Sequence, residues 1–161
     1  MPATVTESRY SAIAYLLVMV AGAQAYAGAK AGNARLVCQL EKRQSGDHAV
    51  SGDILYEQVV VDVIRAGKQW TVKGTGVDIQ FSISSDDPDD VRDDASTLVI
   101  VARTKRNVPS GSEETFRRVE LSKPWVSGAQ LRYEWSEMHF NSHRFNTFFS
   151  EIRITGECHQ N

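Results

Sequence analysis

From Leu36 to Cys158 apolar residues tend to recur at every second position, and past residue 35 no segment sustains the i, i+3, i+4, i+7 spacing of an amphipathic helix. A chain patterned this way buries its apolar side chains by forming sheet, because successive strand residues point to opposite faces. Leu36, Cys38 and Leu40 alternate with Val37, Gln39 and Glu41, and Val77, Ile79, Phe81 and Ile83 share a face against Asp78, Gln80 and Ser82. Further strand-like runs cover 54–64, 69–73, 97–104, 116–121, 130–140 and 145–155, with 141–144 as a hairpin loop between the last two. The spacing predicts an all-β fold without helix: an eight-strand antiparallel meander closed as a small barrel or half-open sandwich.

Ahead of the strands, residues 12–23 form a short uncharged apolar run, preceded by Arg9 and followed by Ala23, Ala25 and Ala27. A cationic lead, a short apolar stretch and small residues near a cleavage point are the order of a secretory signal. A retained anchor needs about 20 apolar residues, and the continuation past Ala23 is small and polar. Cys38 lies too far beyond the run to carry a lipid. The expectation is a signal peptide at 1–27, a single all-β domain at 28–161, and a periplasmic or secreted protein with no membrane span in its mature part.

The chain of 161 residues carries 18 basic and 20 acidic side chains, a net charge of -2. It lacks the basic surplus through which nucleic-acid binders neutralise phosphate, so no nucleic-acid partner is expected. Its two cysteines are too few for a four-thiolate zinc site, and no cofactor is implied. Cys38 stands in the first strand and Cys158 at the end of the last. In an eight-strand meander those strands run antiparallel and can pair, and exported proteins meet an oxidising compartment. A Cys38–Cys158 disulfide closing the sheet is therefore expected.

An apolar leader, Leu36-Val37-Cys38 at the first strand and the closing Thr155-Gly156-Glu157-Cys158 together resemble many small exported bacterial all-β proteins of unassigned activity. The resemblance covers the chain ends and the last hairpin. It implies the small all-β fold and carries over no residue role.

Glu137, His139 and His143 are the sharpest local signal for a metal. Histidines four apart share a face on a helix, but along a strand they lie about 13 Å apart at 3.3 Å per residue. Solvated hairpin histidines are the simpler reading. A metal-dependent hydrolase centred on His139, His143 and Glu137 is the alternative. Residues 86–94 hold six aspartates, a composition compatible with calcium, although the spacing and Pro88 favour a solvated loop. No nucleophile elbow, zinc-protease helix motif, dithiol motif or phosphate loop is present, so the chain is read as non-catalytic. Its function is expected to be binding of a small ligand or a protein partner, with a structural role through β-edge pairing as a further alternative.

Two surfaces are candidates for that binding. Aromatic residues crowd the last two strands, and of the adjacent pair Phe148 and Phe149 one ring must face outward; Phe149 is the candidate partner face, with Phe148 joining Ile152 and Ile154 in the core. In an up-and-down meander the connections alternate between two ends. The acidic segment then shares its end with Ala66-Gly67 and Lys123-Pro124-Trp125. Lys73, Lys105, Arg106, His143 and Arg144 gather at the other end, with His48 near them, as a candidate anion-binding set.

Overall fold

The computed structural model describes residues 33–47, 54–125, 128–144 and 146–160. The expected leader at 1–27, His48 and Phe145 lie outside the described residues. Nine strands form among those described: β1 (Asn33–Gly46), β2 (Leu55–Ala66), β3 (Gln69–Thr75), β4 (Gln80–Ser85), β5 (Val91–Asp93), β6 (Thr97–Val108), β7 (Gly111–Ser122), β8 (Ala129–Asn141) and β9 (Asn146–Gln160). The fold is all-β, as the alternation requires, with one strand more than the eight expected. The addition, β5, lies inside the aspartate-rich segment, where flanking carboxylates mask a three-residue strand. Strand bounds shift as well: β7 begins at Gly111 rather than Phe116, and β4 starts later than the alternation suggests. Val77 stands before β4 and is 84% exposed, while Ile79, Phe81 and Ile83 are buried.

All pairings are antiparallel, and the sheet order is β4-β3-β2-β1-β9-β8-β7-β6-β5, a nearly closed barrel. The two terminal strands do pair, Leu36 with Gln160 through Gly46 with Ser150. They lie in the middle of the sheet, however, and the gap falls in mid-sequence between β4 and the β5–β6 edge. The physical reason is local. Pro88 and its neighbouring aspartates break the ladder after β4, so the chain crosses to β5 without a hairpin register.

Cys38 and Cys158 are direct register partners on β1 and β9, both fully buried, and they form the disulfide with their Cα atoms 4.0 Å apart. Two positions further along the ladder, Gly156 faces Leu40. A Cβ there would come within 1.9 Å of the Gln39 carbonyl oxygen, so glycine permits the close approach of the two strands.

Every ladder keeps one continuous register, so each strand presents the same face along its length. The inward row fills the core with Leu36 and Leu40 of β1, Val59, Val61 and Val63 of β2, Val72 of β3 and Ile83 of β4. Leu98 and Ile100 of β6, Val119 and Leu121 of β7, Leu131 of β8 and Ile154 of β9 belong to the same core, with Trp70, Ile79, Phe81 and Tyr133. Each such side chain contributes about 1.5–3 kcal/mol when fully buried. Across the barrel interior, Phe81 of β4 stacks on Tyr133 of β8 with ring centroids 4.7 Å apart. Gly74 makes room for that stack, since a Cβ on it would meet the Phe81 ring at 2.2 Å. Burial also pushes the Tyr133 hydroxyl above its ordinary pKa.

The β3–β4 turn is tied down by Glu57 of β2, whose carboxylate accepts the backbone N–H groups of Val77, Asp78 (3.1 Å) and Ile79 (2.7 Å). These bonds, led by that of Val77, hold the Glu57 carboxyl below its ordinary value of 4.5. A lowered carboxyl pKa stabilises the fold above the unfolded value and loses that contribution as pH falls through the folded value. Urea midpoints of the wild type should therefore decline on acidification below about pH 4.5 more steeply than those of Glu57→Gln. Parallel curves would deny Glu57 this role. For the disulfide, whose cysteines are 120 residues apart in sequence, reduction should lower stability by roughly 4–5 kcal/mol. Equal denaturation midpoints with and without reductant would contradict it.

Candidate functional site

Beyond the core, β6 to β9 run on with unchanged register but altered chemistry. The inward positions of β6 to β8 become polar or charged, with Thr104 and Arg106 on β6, Glu113 and Thr115 on β7, and Glu137 and His139 on β8. Apolar side chains appear among the outward positions of β7 to β9, at Phe116, Met138, Phe140 and Phe149. Two outward rows cross the strands here, Lys105–Glu114–Met138–Phe149 and Arg103–Phe116–Ser136. Together they line a groove of about 540 Å³. The Arg103 guanidinium lies over the Phe116 ring, 5.4 Å from its centroid. Met138, Phe140 and Phe149 are 43%, 42% and 44% exposed.

The backbone beneath Phe149 is fixed. Its N–H donates to the Asp47 carboxylate at 2.8 Å, and its carbonyl accepts the Asp47 N–H at 2.9 Å. Gly46, at φ 122°, allows this close approach, because a Cβ would meet the Phe149 oxygen at 2.3 Å. Phe149 thus presents an exposed ring from a held backbone, on the outer face expected for it.

Phe148 faces inward with Ile152 and Ile154 but stands half-buried beyond the core. The expectation that it packs fully there is corrected, because the inward face at its level is lined by polar side chains such as His139, its register partner.

The remaining outer face of β7 to β9 is charged. Arg118 pairs with Glu120, Arg132 with Glu134, and Arg153 with both Glu134 and Glu151. Such a ladder is the opposite of the outward apolar band of a membrane barrel. No helix among the described residues is long and apolar enough to cross a membrane.

The expected metal trio is not brought together. His139 Nε2 meets the Glu113 carboxylate at 2.9 Å, Glu137 lines a small inward pocket of about 220 Å³, and His143 sits exposed in the β8–β9 turn. Among the described residues no three His, Cys, Asp or Glu side chains form a group able to hold a metal.

The expected cationic set is likewise divided. Lys73 points outward on β3 opposite Asp62; Lys105 points outward and pairs with Glu114; Arg106 points inward and pairs with Glu113. The N–H groups of His143 and Arg144 bond to Asn141 Oδ1 at 3.0 and 3.1 Å.

The acidic segment is also locally compensated. Lys123 bonds to Asp93 and to the Asp94 carbonyl, Arg65 approaches Asp93 at 3.9 Å, and Arg92 approaches Asp94 at 3.3 Å. The hydroxyl and N–H of Ser96, then the N–H of Thr97, hold the Asp94 carboxyl below its ordinary range.

Sequence reasoning missed Glu113 and Glu114 as partners and Arg103, Phe116 and Met138 as groove residues. The signal was the Pro109-Ser110 turn. It sets Val108 opposite Gly111, and from there every partner of Arg103, Lys105 and Arg106 follows by counting. Compared with known proteins, the chain matches no family model, no curated protein and no solved structure.

Because Phe149 supports no core, Phe149→Ala should change stability by no more than about 0.5 kcal/mol, whereas Ile154→Ala should cost about 2–5 kcal/mol. Urea unfolding of the two variants measures this. Similar losses would mean the outer ring is packed.

Proposed function

We propose that this chain is an exported, non-catalytic binding protein of the periplasm or extracellular space, whose partner docks on the outer groove of β6 to β9. The observation that carries the reading is the reversal of face chemistry. On an outer face of β7 to β9 otherwise laced with ion pairs, Phe116, Met138 and Phe149 line a groove and are joined by exposed Phe140. Contiguous exposed apolar side chains rimmed by polar ones are typical of interaction sites, and aromatic residues anchor such interfaces. Arg103 and Lys105 at the rim favour a ligand with an anionic group beside its apolar one. A buried disulfide between the terminal strands supports export, since such bonds persist in oxidising compartments.

The test is photo-crosslinking in the native cell. A photoreactive residue at Ser136, inside the groove, should yield a discrete adduct that disappears when Phe149→Ser is added. The same probe at Gln130, on the charged ladder, should not yield it. An identical adduct from both positions, or one that survives Phe149→Ser, would contradict the reading.

A further inference from the structure

Inside the barrel, the level just beyond the core is built from two register rows. Ala102, Arg117, Trp135 and Ile152 form the lower one, and Thr104, Thr115, Glu137 and Ser150 the one above it. Strand parity turns these side chains to the same face as buried Ile100, Val119, Tyr133 and Ile154. Ala102, Trp135 and Ile152 pack against the core, so the lower row is an apolar floor that holds one guanidinium. Thr104, Thr115 and Glu137 of the upper row line the inward pocket of about 220 Å³, together with Arg106 and Glu113.

Other inward charges are satisfied. Arg106 and His139 both pair with Glu113, and the Glu57 carboxylate holds three backbone N–H groups. Arg117 and Glu137 are different. Both are half-buried, and neither makes a hydrogen bond or ion pair among the described residues. They occupy diagonal positions on β7 and β8, a separation of about 7–8 Å between backbones. Thr115 adjoins both, two residues from Arg117 on β7 and opposite Glu137 on β8. Burial raises the pKa of the Tyr133 hydroxyl and the Arg117 charge opposes that rise, so the guanidinium lies near the floor. A half-buried charge without a partner has given up hydration for nothing in return. Here two of opposite sign stand side by side and do not meet.

We propose that this inward pocket binds a small zwitterion of the α-amino acid class, its ammonium on the Glu137 carboxylate, its carboxylate on the Arg117 guanidinium and the Thr115 hydroxyl between them. The site goes beyond the groove reading, since it lies on the opposite face of the same strands. Its size limits the occupant. About 220 Å³ is below the roughly 300–1,000 Å³ of pockets that take drug-sized ligands, which suits a molecule of a few heavy atoms. The chemistry selects further. A guanidinium presents a fork of donors that matches a carboxylate, and an ammonium has three donors to share between Glu137 and the threonine hydroxyls. A plain anion drawn to Arg117 would face Glu137, and a plain cation drawn to Glu137 would face Arg117. Each single charge therefore meets a repulsive neighbour, and a ligand carrying both does not.

The probes are the standard L-amino acids, added singly at millimolar concentration to the full oxidised protein and followed by amide chemical shifts. At least one should give a saturable shift at Thr115 and Glu137. Its carboxamide, which lacks the carboxylate, and its N-acetyl derivative, which lacks the ammonium, should each bind about tenfold or more weakly, since each loses a charge-assisted contact. Arg117→Met should weaken the amino acid but not its carboxamide, and Glu137→Gln should weaken the amino acid but not its N-acetyl derivative. Both variants should keep the wild-type urea midpoint, because neither breaks a bond in the free protein. Overturning results are no saturable shift at Thr115 or Glu137 from any amino acid, equal binding by either derivative, or undiminished binding in either variant. If the shifts fall instead at Phe116 and Phe149 and vanish in Phe149→Ser, the ligand belongs to the groove and the inward site fails.

Discussion

The pairing of β1 with β9, bonded covalently through Cys38 and Cys158, decides where the rest of the sheet can lie. It takes the two ends of the domain, which would otherwise be edge strands, and makes them the interior of the ladder. Each then recruits its hairpin neighbours in sequence, β2 to β4 on one side and β8 down to β5 on the other. Two arms growing from one seam meet in mid-sequence, and there the chain supplies aspartates and a proline instead of a tight turn. The two arms are joined there by side chains rather than by a ladder, with the Phe81–Tyr133 stack spanning the barrel interior.

The same geometry explains the site. β6 to β9 extend past the level where the core ends, while β3 and β4 are short. With no opposite wall to pack against, the inward face there is satisfied by polar contacts such as Arg106–Glu113–His139. Apolar groups appear outside, on a face whose other half is ion-paired. An unbroken register makes this reversal a property of the residues and not of a bulge. The part of β6 without a ladder partner on its β5 side follows from the brevity of β5.

Much of the fold was legible because period-two patterning and the parity of the strands are local rules with global consequences. Alternation from Leu36 to Leu40 and from Ile79 to Ile83 identified inward rows that the structure retains, and cysteine placement identified the seam. The location of the gap was not legible, since a closed meander and one opened in mid-sequence have the same hairpins. The half-burial of Phe148 was hidden for a related reason: its face follows from parity, but the height at which the core ends depends on strands distant in sequence. The cations Lys105 and Arg106 looked free because their carboxylate partners sit across a turn and not beside them in the chain. Outward Phe149 could be read from its neighbour alone, whereas Phe116 and Met138 needed the register of three strands.

Native-state amide hydrogen exchange on the oxidised protein, without any ligand, tests most directly the claim that this sheet is sealed at its termini and open in its middle. Amides bonded across β1 and β9 near Cys38 and Cys158 should be the slowest, exchanging only on global unfolding, while those of Arg103, Lys105 and Asn107 should exchange at nearly the rate of unstructured chain. Protection of the β6 edge comparable to that at the β1–β9 seam, or rapid exchange at that seam, would contradict the account.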